Sequence, residues 1–234
     1  TGGLGRSAPF ALGHLPFIGT FHSLCVRILR AHAAQAGYTA NFSIIDQDDS
    51  LALIKESMKE ANINPKQFAP AMIQNAISGV KSGMLTPESY GERFGTEDLF
   101  PRTVHHAYLL YQKRLKESNS MDFDDLIMNA CVLFEKYPDV LEKYQNRFRY
   151  IHVDEYQDTD HSQYILASSL AKTHRNIAVV GDDAQSIYSF RGADLTNILH
   201  FEKDWPDAKV IVLDQNYRST QRILDAASHI IGHN

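Results

Sequence analysis

Two acids in succession, Asp154 and Glu155, close a compact apolar run, Tyr150-Ile151-His152-Val153. At the carboxyl end of a parallel strand, where loops open toward ligand, an aspartate can hold Mg²⁺ through water. A glutamate beside it can take a proton from a water that attacks a phosphoryl group. The same pair at a helix start would simply complement the positive end of the dipole, and the two residues alone do not choose between these roles. A second run, Ile177-Ala178-Val179-Val180, ends in Gly181 and precedes Gln185. A third, Val210-Ile211-Val212-Leu213, ends in Asp214 and leads into Tyr217 and Arg218. Tyr188 and Phe190, two residues apart, share a side in an extended segment, which suits a stacking surface or a core equally.

Helical segments separate the three apolar runs. Short apolar strands alternating with helices indicate a parallel sheet covered on both faces, the α/β class. Asp122 is placed to cap a helix whose apolar face is Leu126, Ile127, Ala130, Leu133 and Phe134. Upstream, residues 46–121 read as helix after helix with no strand. Asp46 caps one carrying Leu51, Ile54, Met58 and Ala61; Asn64-Pro65-Lys66-Gln67 and Thr86-Pro87 signal further starts; residues 105–118 form a charged helix. This stretch reads as an all-helical inserted subdomain. Residues 17–21 suit a short buried strand, and residues 22–36 a helix with Leu24, Ile28 and Leu29 on one face and Gly37 as its stop. Residues 1–19 hold five of the 13 glycines and two prolines and read as a loop. Gly2-Gly3-Leu4-Gly5-Arg6-Ser7 lacks the Gly-Lys-Ser/Thr ending and the preceding strand of a phosphate cradle.

Composition sets limits. At 234 residues, 44% hydrophobic and 22% charged, the chain fits an ordinary globular protein rather than a disordered one. No apolar run approaches the ~20 residues of a membrane helix, and no secretion signal is visible. Cys25 and Cys131 lie in apolar helical patterns and read as buried, reduced side chains rather than a disulfide or zinc site. The net charge of −5 argues against coating of nucleic acid by the whole surface but leaves room for a local groove.

Five blocks carry a resemblance. Asp154-Glu155-Tyr156-Gln157-Asp158-Thr159 resembles the Walker B motif of the UvrD/Rep/PcrA-type superfamily 1 DNA helicases. Gly181-Asp182-Asp183-Ala184-Gln185-Ser186-Ile187-Tyr188-Ser189-Phe190-Arg191-Gly192-Ala193-Asp194 is similar to that family's third motif, and Gln215-Asn216-Tyr217-Arg218-Ser219-Thr220 to its fourth. Thr20-Phe21-His22-Ser23 is similar to a DNA-contacting motif upstream, and Asp122-Phe123-Asp124-Asp125-Leu126 to the segment before Walker B. Order and spacing both agree, over roughly residues 20–228.

The resemblance implies an ATP-dependent helicase or translocase moving 3′ to 5′ on single-stranded DNA, with ATP and Mg²⁺ as cofactors. Asp154 would hold Mg²⁺ through water and Glu155 would be the general base. Gln185 would bond the γ-phosphate or the attacking water; Arg218 would be an arginine finger and Tyr217 would stack near the adenine. Thr20 and His22 would touch the DNA backbone, Tyr188 and Phe190 would stack on bases, and Arg191 would pair with a phosphate or brace its motif. The implied fold is a RecA-like P-loop NTPase sheet with a helical insertion. Its parts would be a partial first RecA-like domain at 1–45, the insertion at 46–121, the remainder of the first domain at 122–213 and the start of a second at 214–234. The family's phosphate loop is not in the sequence, so the chain reads as an internal fragment inactive alone. Implied partners are single-stranded DNA, the single-strand/duplex junction and accessory repair or replication proteins, with no membrane; the implied setting is the bacterial cytoplasm, at the nucleoid. The contrasting reading is a non-catalytic DNA-binding or partner-docking module built on a helicase fold, against which the intact acids, glutamine and arginine argue.

Overall fold

Thr20 opens the first helix: its Oγ1 accepts the Ser23 N–H at 3.2 Å, satisfying one donor that has no partner within the helix. In the computed structural model, which describes residues 16–94, 98–186, 193–194 and 196–232, this helix is α1 (Phe21–Ala31). The strand expected over residues 17–21 is therefore absent, because the cap at Thr20 commits Phe21 to the helix. The helix also ends earlier than periodicity suggests, at His32, and turns carry the chain to Gly37, whose φ of +75° suits glycine.

There follow β1 (Ser43–Ile44), α2 (Gln47–Glu60), α3 (Pro70–Ser82), α4 (Pro87–Phe94), α5 (Leu99–Glu117) and β2 (Ser120–Met121). Two corrections arise here. Asn64-Pro65 starts no helix: the Asn64 side chain accepts the Lys66 N–H at 3.0 Å, making a local turn, and α3 begins only at Pro70. Residues 46–121 do contain a strand, since β2 pairs in parallel with β1, Ser43 opposite Ser120 and Ile44 opposite Met121. Two residues are too few to show a hydrophobic period.

The remaining elements are α6 (Phe123–Lys136), α7 (Pro138–Arg147), β3 (Ile151–Val153), α8 (His161–Ala171), β4 (Ile177–Val179), α9 (Thr196–Leu199), α10 (Phe201–Asp204) and α11 (Gln221–Ile231). β3 and β4 pair in parallel, with Val153 opposite Val179. The architecture is mixed, helix-rich with small parallel sheets. The run 210–213 forms no strand: Ile211, Val212 and Leu213 are each more than 70% exposed, and no other strand among the described residues lies against them. An apolar run needs a partner before it becomes a strand.

Three groups of apolar side chains organise the molecule. Cys25, Ile28 and Leu29 of α1 pack with Leu126, Leu133 and Phe134 of α6, Val140 and Tyr144 of α7, and Leu166 and Leu170 of α8. Ile54, Ile73, Val104 and Leu115 join α2, α3 and α5 around Tyr108 and Tyr111. The smallest group, Val153, Tyr156 and Ala167, underlies the acid pair, with Ile198 and Phe201 against it. Each fully buried aliphatic side chain contributes ~1.5–3 kcal/mol, and β3 is anchored through Ile151 against the first group and Val153 in the third. Asp122 and Asp125 form a reciprocal capping box at the start of α6, as Asp122 in the sequence suggests. Cys25 and Cys131 are buried free thiols.

Candidate functional site

The parallel ladder continues past both strands: the Val180 N–H donates to the Val153 carbonyl and the Tyr156 N–H to the Val180 carbonyl, each at 2.9 Å. Asp154 and Glu155 lie between those two bonds and are looped out of the ladder. Val153 and Tyr156 on either side are buried, at 7% and 1% exposure, whereas both acids are exposed. Glu155 has φ 51° and ψ 44°, the left-handed region, which costs a non-glycine residue ~1–3 kcal/mol and persists only where neighbours enforce it. The Glu155 N–H donates to Asp154 Oδ1 at 3.0 Å, leaving the other carboxylate oxygen of Asp154 without this bond. Among the described residues no group of three or more His, Cys, Asp or Glu forms a metal cage. A magnesium ion carried on a triphosphate keeps most of its waters and needs only one or two carboxylates, so the exposed Asp154 fits that demand.

Gln185 stands in a short helical turn (Asp183–Gln185) at the same edge of the sheet, beyond β4. Its Nε2 donates to Asp182 Oδ2 at 2.7 Å, and the Asp182 N–H donates to Gln157 Oε1 at 3.1 Å. Gln157 Nε2 in turn donates to Glu155 Oε2 at 2.7 Å. Three hydrogen bonds thus join Glu155 to Gln185. Gln157 lies within the Asp154–Thr159 block but carries no role in the sequence reading; an amide two residues beyond an acid is the available signal.

Thr20, His22, Asp154, Glu155 and Asp158 border one cavity of about 700 Å³ that runs alongside β3. Thr20 is occupied as the cap of α1. His22 is half-buried, and burial pushes its pKa down while the charge of Asp160 pulls it back up. Its ring meets Phe123 edge-on at 5.7 Å. Phe123 is 51% exposed at the first position of α6, a large aromatic displayed beside the buried Asp122, and carries no role in the sequence reading.

Tyr217 and Arg218 are not brought to this edge. Tyr217 is 93% exposed, and α11 beyond it buries none of its residues. The backbone N–H groups of Arg218 and Ser219 both donate to Asn216 Oδ1 at 2.9 Å, so the turn is formed locally while the arginine side chain stays exposed. Tyr188, Phe190 and Arg191 lie outside the described residues.

The chain is 51% identical over 218 residues to the ATP-dependent DNA helicase PcrA of Bacillus subtilis strain 168, covering 93% of this chain and 29% of that protein. It is 50% identical to the ATP-dependent DNA helicase PcrA of Staphylococcus epidermidis RP62A and of Staphylococcus aureus Mu50, again over 93% of this chain and 30% of each relative. The chain therefore spans less than a third of the length of the curated relatives it matches. Residues 10–206 match the UvrD/REP helicase N-terminal domain, and with most of its length inside that match the chain belongs to the UvrD/REP helicase family.

Proposed function

We propose that the full-length gene product is an ATP-dependent DNA helicase, translocating 3′ to 5′ on single-stranded DNA. In this reading the 234 residues supply the acid pair that hydrolyses ATP and part of the DNA track. The observation that carries it is the looped-out Asp154–Glu155 pair at the carboxyl edge of a parallel sheet, hydrogen-bonded through Gln157 and Asp182 to Gln185. The sheet is read as part of a RecA-like domain with residues 46–121 inserted and residues 214–234 beginning a second such domain.

Glu155, exposed where it loops out of the ladder, orients the attacking water and takes its proton. Gln185 bonds the γ-phosphate or that water. Asp154 is the residue to hold Mg²⁺ through water, and the ion, when bound with ATP, neutralises charge on the phosphate oxygens. Arg218 contributes a guanidinium to the transferring phosphoryl group and Tyr217 a face for adenine, once residues 214–232 pack against this edge. Thr20 and His22 meet the DNA backbone, Phe123, Tyr188 and Phe190 present faces to bases, and Arg191 pairs with a phosphate. The setting is the bacterial nucleoid, at single-strand/duplex junctions, with accessory repair or replication proteins.

No Gly-Lys-Ser/Thr sequence occurs in these 234 residues, so they turn over no appreciable ATP by themselves. Robust steady-state hydrolysis by the isolated 234-residue chain would refute that. The decisive experiment is Glu155→Gln in the full-length gene product: hydrolysis falls at least ~100-fold while nucleotide affinity is retained. Equal loss of both would make Glu155 a structural residue. DNA binding without turnover by the unaltered protein would favour the non-catalytic module instead.

A further inference from the structure

We propose that Gln157 is the positioning residue that couples the Glu155 carboxylate to the loop bearing Gln185, so that the two cannot move independently. The inference rests on the reading of Glu155 as general base. Gln157 is 1% exposed, so neither end of its amide has water to fall back on. The orientation of that amide is fixed from outside. Only an acceptor can face the Asp182 N–H, which puts Oε1 there at 3.1 Å and leaves the two-proton Nε2 end facing Glu155 Oε2 at 2.7 Å. A bond from an amide to a carboxylate is charge-assisted and holds the Glu155 carboxylate in one orientation.

The neighbouring backbone is shaped to admit this contact. A Cβ on Gly181 would sit 2.6 Å from Gln157 Oε1 and 2.7 Å from Ile198 Cδ1, so any other residue there would push the amide aside. Asp182 then passes the connection on: Oδ2 accepts from Gln185 Nε2 at 2.7 Å and Oδ1 from the Ala184 N–H at 3.0 Å. Farther along, the Asp194 N–H and Asn197 Nδ2 each donate to the Thr159 carbonyl at 3.0 Å. The segment 154–159 thus grips the chain on both sides of residues 186–193. The left-handed backbone at Glu155 has a compensating partner in the same amide, since the Gln157 bond holds the carboxylate of a strained residue in one place.

Gln157→Glu separates coupling from mere filling of space. The new side chain has the same size and still accepts from the Asp182 N–H, but it repels Glu155 instead of donating to it. In the full-length gene product, with oligo(dT)-stimulated ATP hydrolysis as the assay, kcat is expected to fall on the order of 10- to 100-fold. KM for ATP and affinity for oligo(dT) stay within about twofold, a separation that loss of folding would not produce. Should Gln157→Glu fail to fold, Gly181→Ala carries the test: it leaves Gln157 in place, crowds its amide, and is expected to lower kcat with the same sparing of KM. Native kcat in the folded variant, with Glu155→Gln inactive, would overturn the role of Gln157 alone. Undiminished turnover by Glu155→Gln would instead sink the reading of Glu155 on which it rests.

Discussion

Lys81, on α3, places its ammonium 2.7 Å from Asp122 Oδ2 at the start of α6, and the side chain of Lys81 is wholly buried. Asp125 Oδ1 lies 2.8 Å from the same nitrogen, while the Tyr111 hydroxyl donates to Asp122 and Gln112 Nε2 to Asp125. Burial alone would push the pKa of Lys81 down; the charges of Asp125 and Asp122 outweigh it, and the ammonium is held well above the ordinary lysine range. This cluster joins the helices of residues 47–117 to the start of α6. Removing one partner from such a cluster leaves buried charge uncompensated, so Lys81→Met is expected to destabilise the protein by ~3–5 kcal/mol. Urea denaturation monitored by circular dichroism measures it; a loss below about 1 kcal/mol would mean the cluster relaxes toward solvent.

Asp124 supplies a pH-dependent term beside that cluster. Burial, helped by the charge of Asp122, raises its pKa to about 6, against a hydrogen bond from Ser78 that works the other way. The folded state therefore binds this proton more tightly than the unfolded chain. Its contribution to stability is fully present below about pH 4 and is lost as pH rises through about 6. Asp124→Asn, which cannot ionise, is expected to gain on the parent across that window by roughly 1–2 kcal/mol. Parallel stability–pH curves for the two proteins would show that Asp124 titrates normally.

Thr20 allows two roles to be weighed against each other. Its Oγ1 is engaged in capping α1, and loss of such a cap costs ~0.5–2 kcal/mol. Thr20→Ala should therefore lower the melting temperature as well as weaken DNA affinity, whereas Thr20→Ser, which keeps the hydroxyl, should do neither. Weaker affinity in the serine variant at native stability would assign the methyl group to the DNA contact.

What could be read from the sequence follows a physical line. The helix at Asp122 was legible because cap and apolar period agree, and all five residues of the apolar face read from the sequence are buried. The strands before Asp154 and Gly181 were legible because each apolar run stops at a loop-forming residue. The run 210–213 looks the same in one dimension, yet its state depends on a partner strand, and apolarity says nothing of partners. Sequence placed Asp154, Glu155 and Gln185 near strand ends but gave no sign of the bonds between them. Those bonds run through Gln157 and the Asp182 backbone, and contacts between loops leave no periodic trace. Lys81 was equally silent: nothing local distinguishes it from a surface lysine, and only the meeting of α3 with α6 buries it.

The aromatic side chains give the last test. Phe123 is half exposed and touches His22 by ring edge, so its truncation removes little core, and stability should change by less than about 1 kcal/mol. If Phe123, Tyr188 and Phe190 each present a face to a base, each alanine substitution in the full-length gene product should weaken single-strand binding by ~1–3 kcal/mol. The loss should be similar on oligo(dT) and oligo(dA), because every base has a face to stack and no hydrogen-bond code is being read. Fluorescence anisotropy at fixed salt measures it, with salt held constant because phosphate contacts would otherwise mask the difference. Unchanged affinity in all three variants would remove the aromatics from the track and leave backbone contacts at Thr20 and His22 to account for binding.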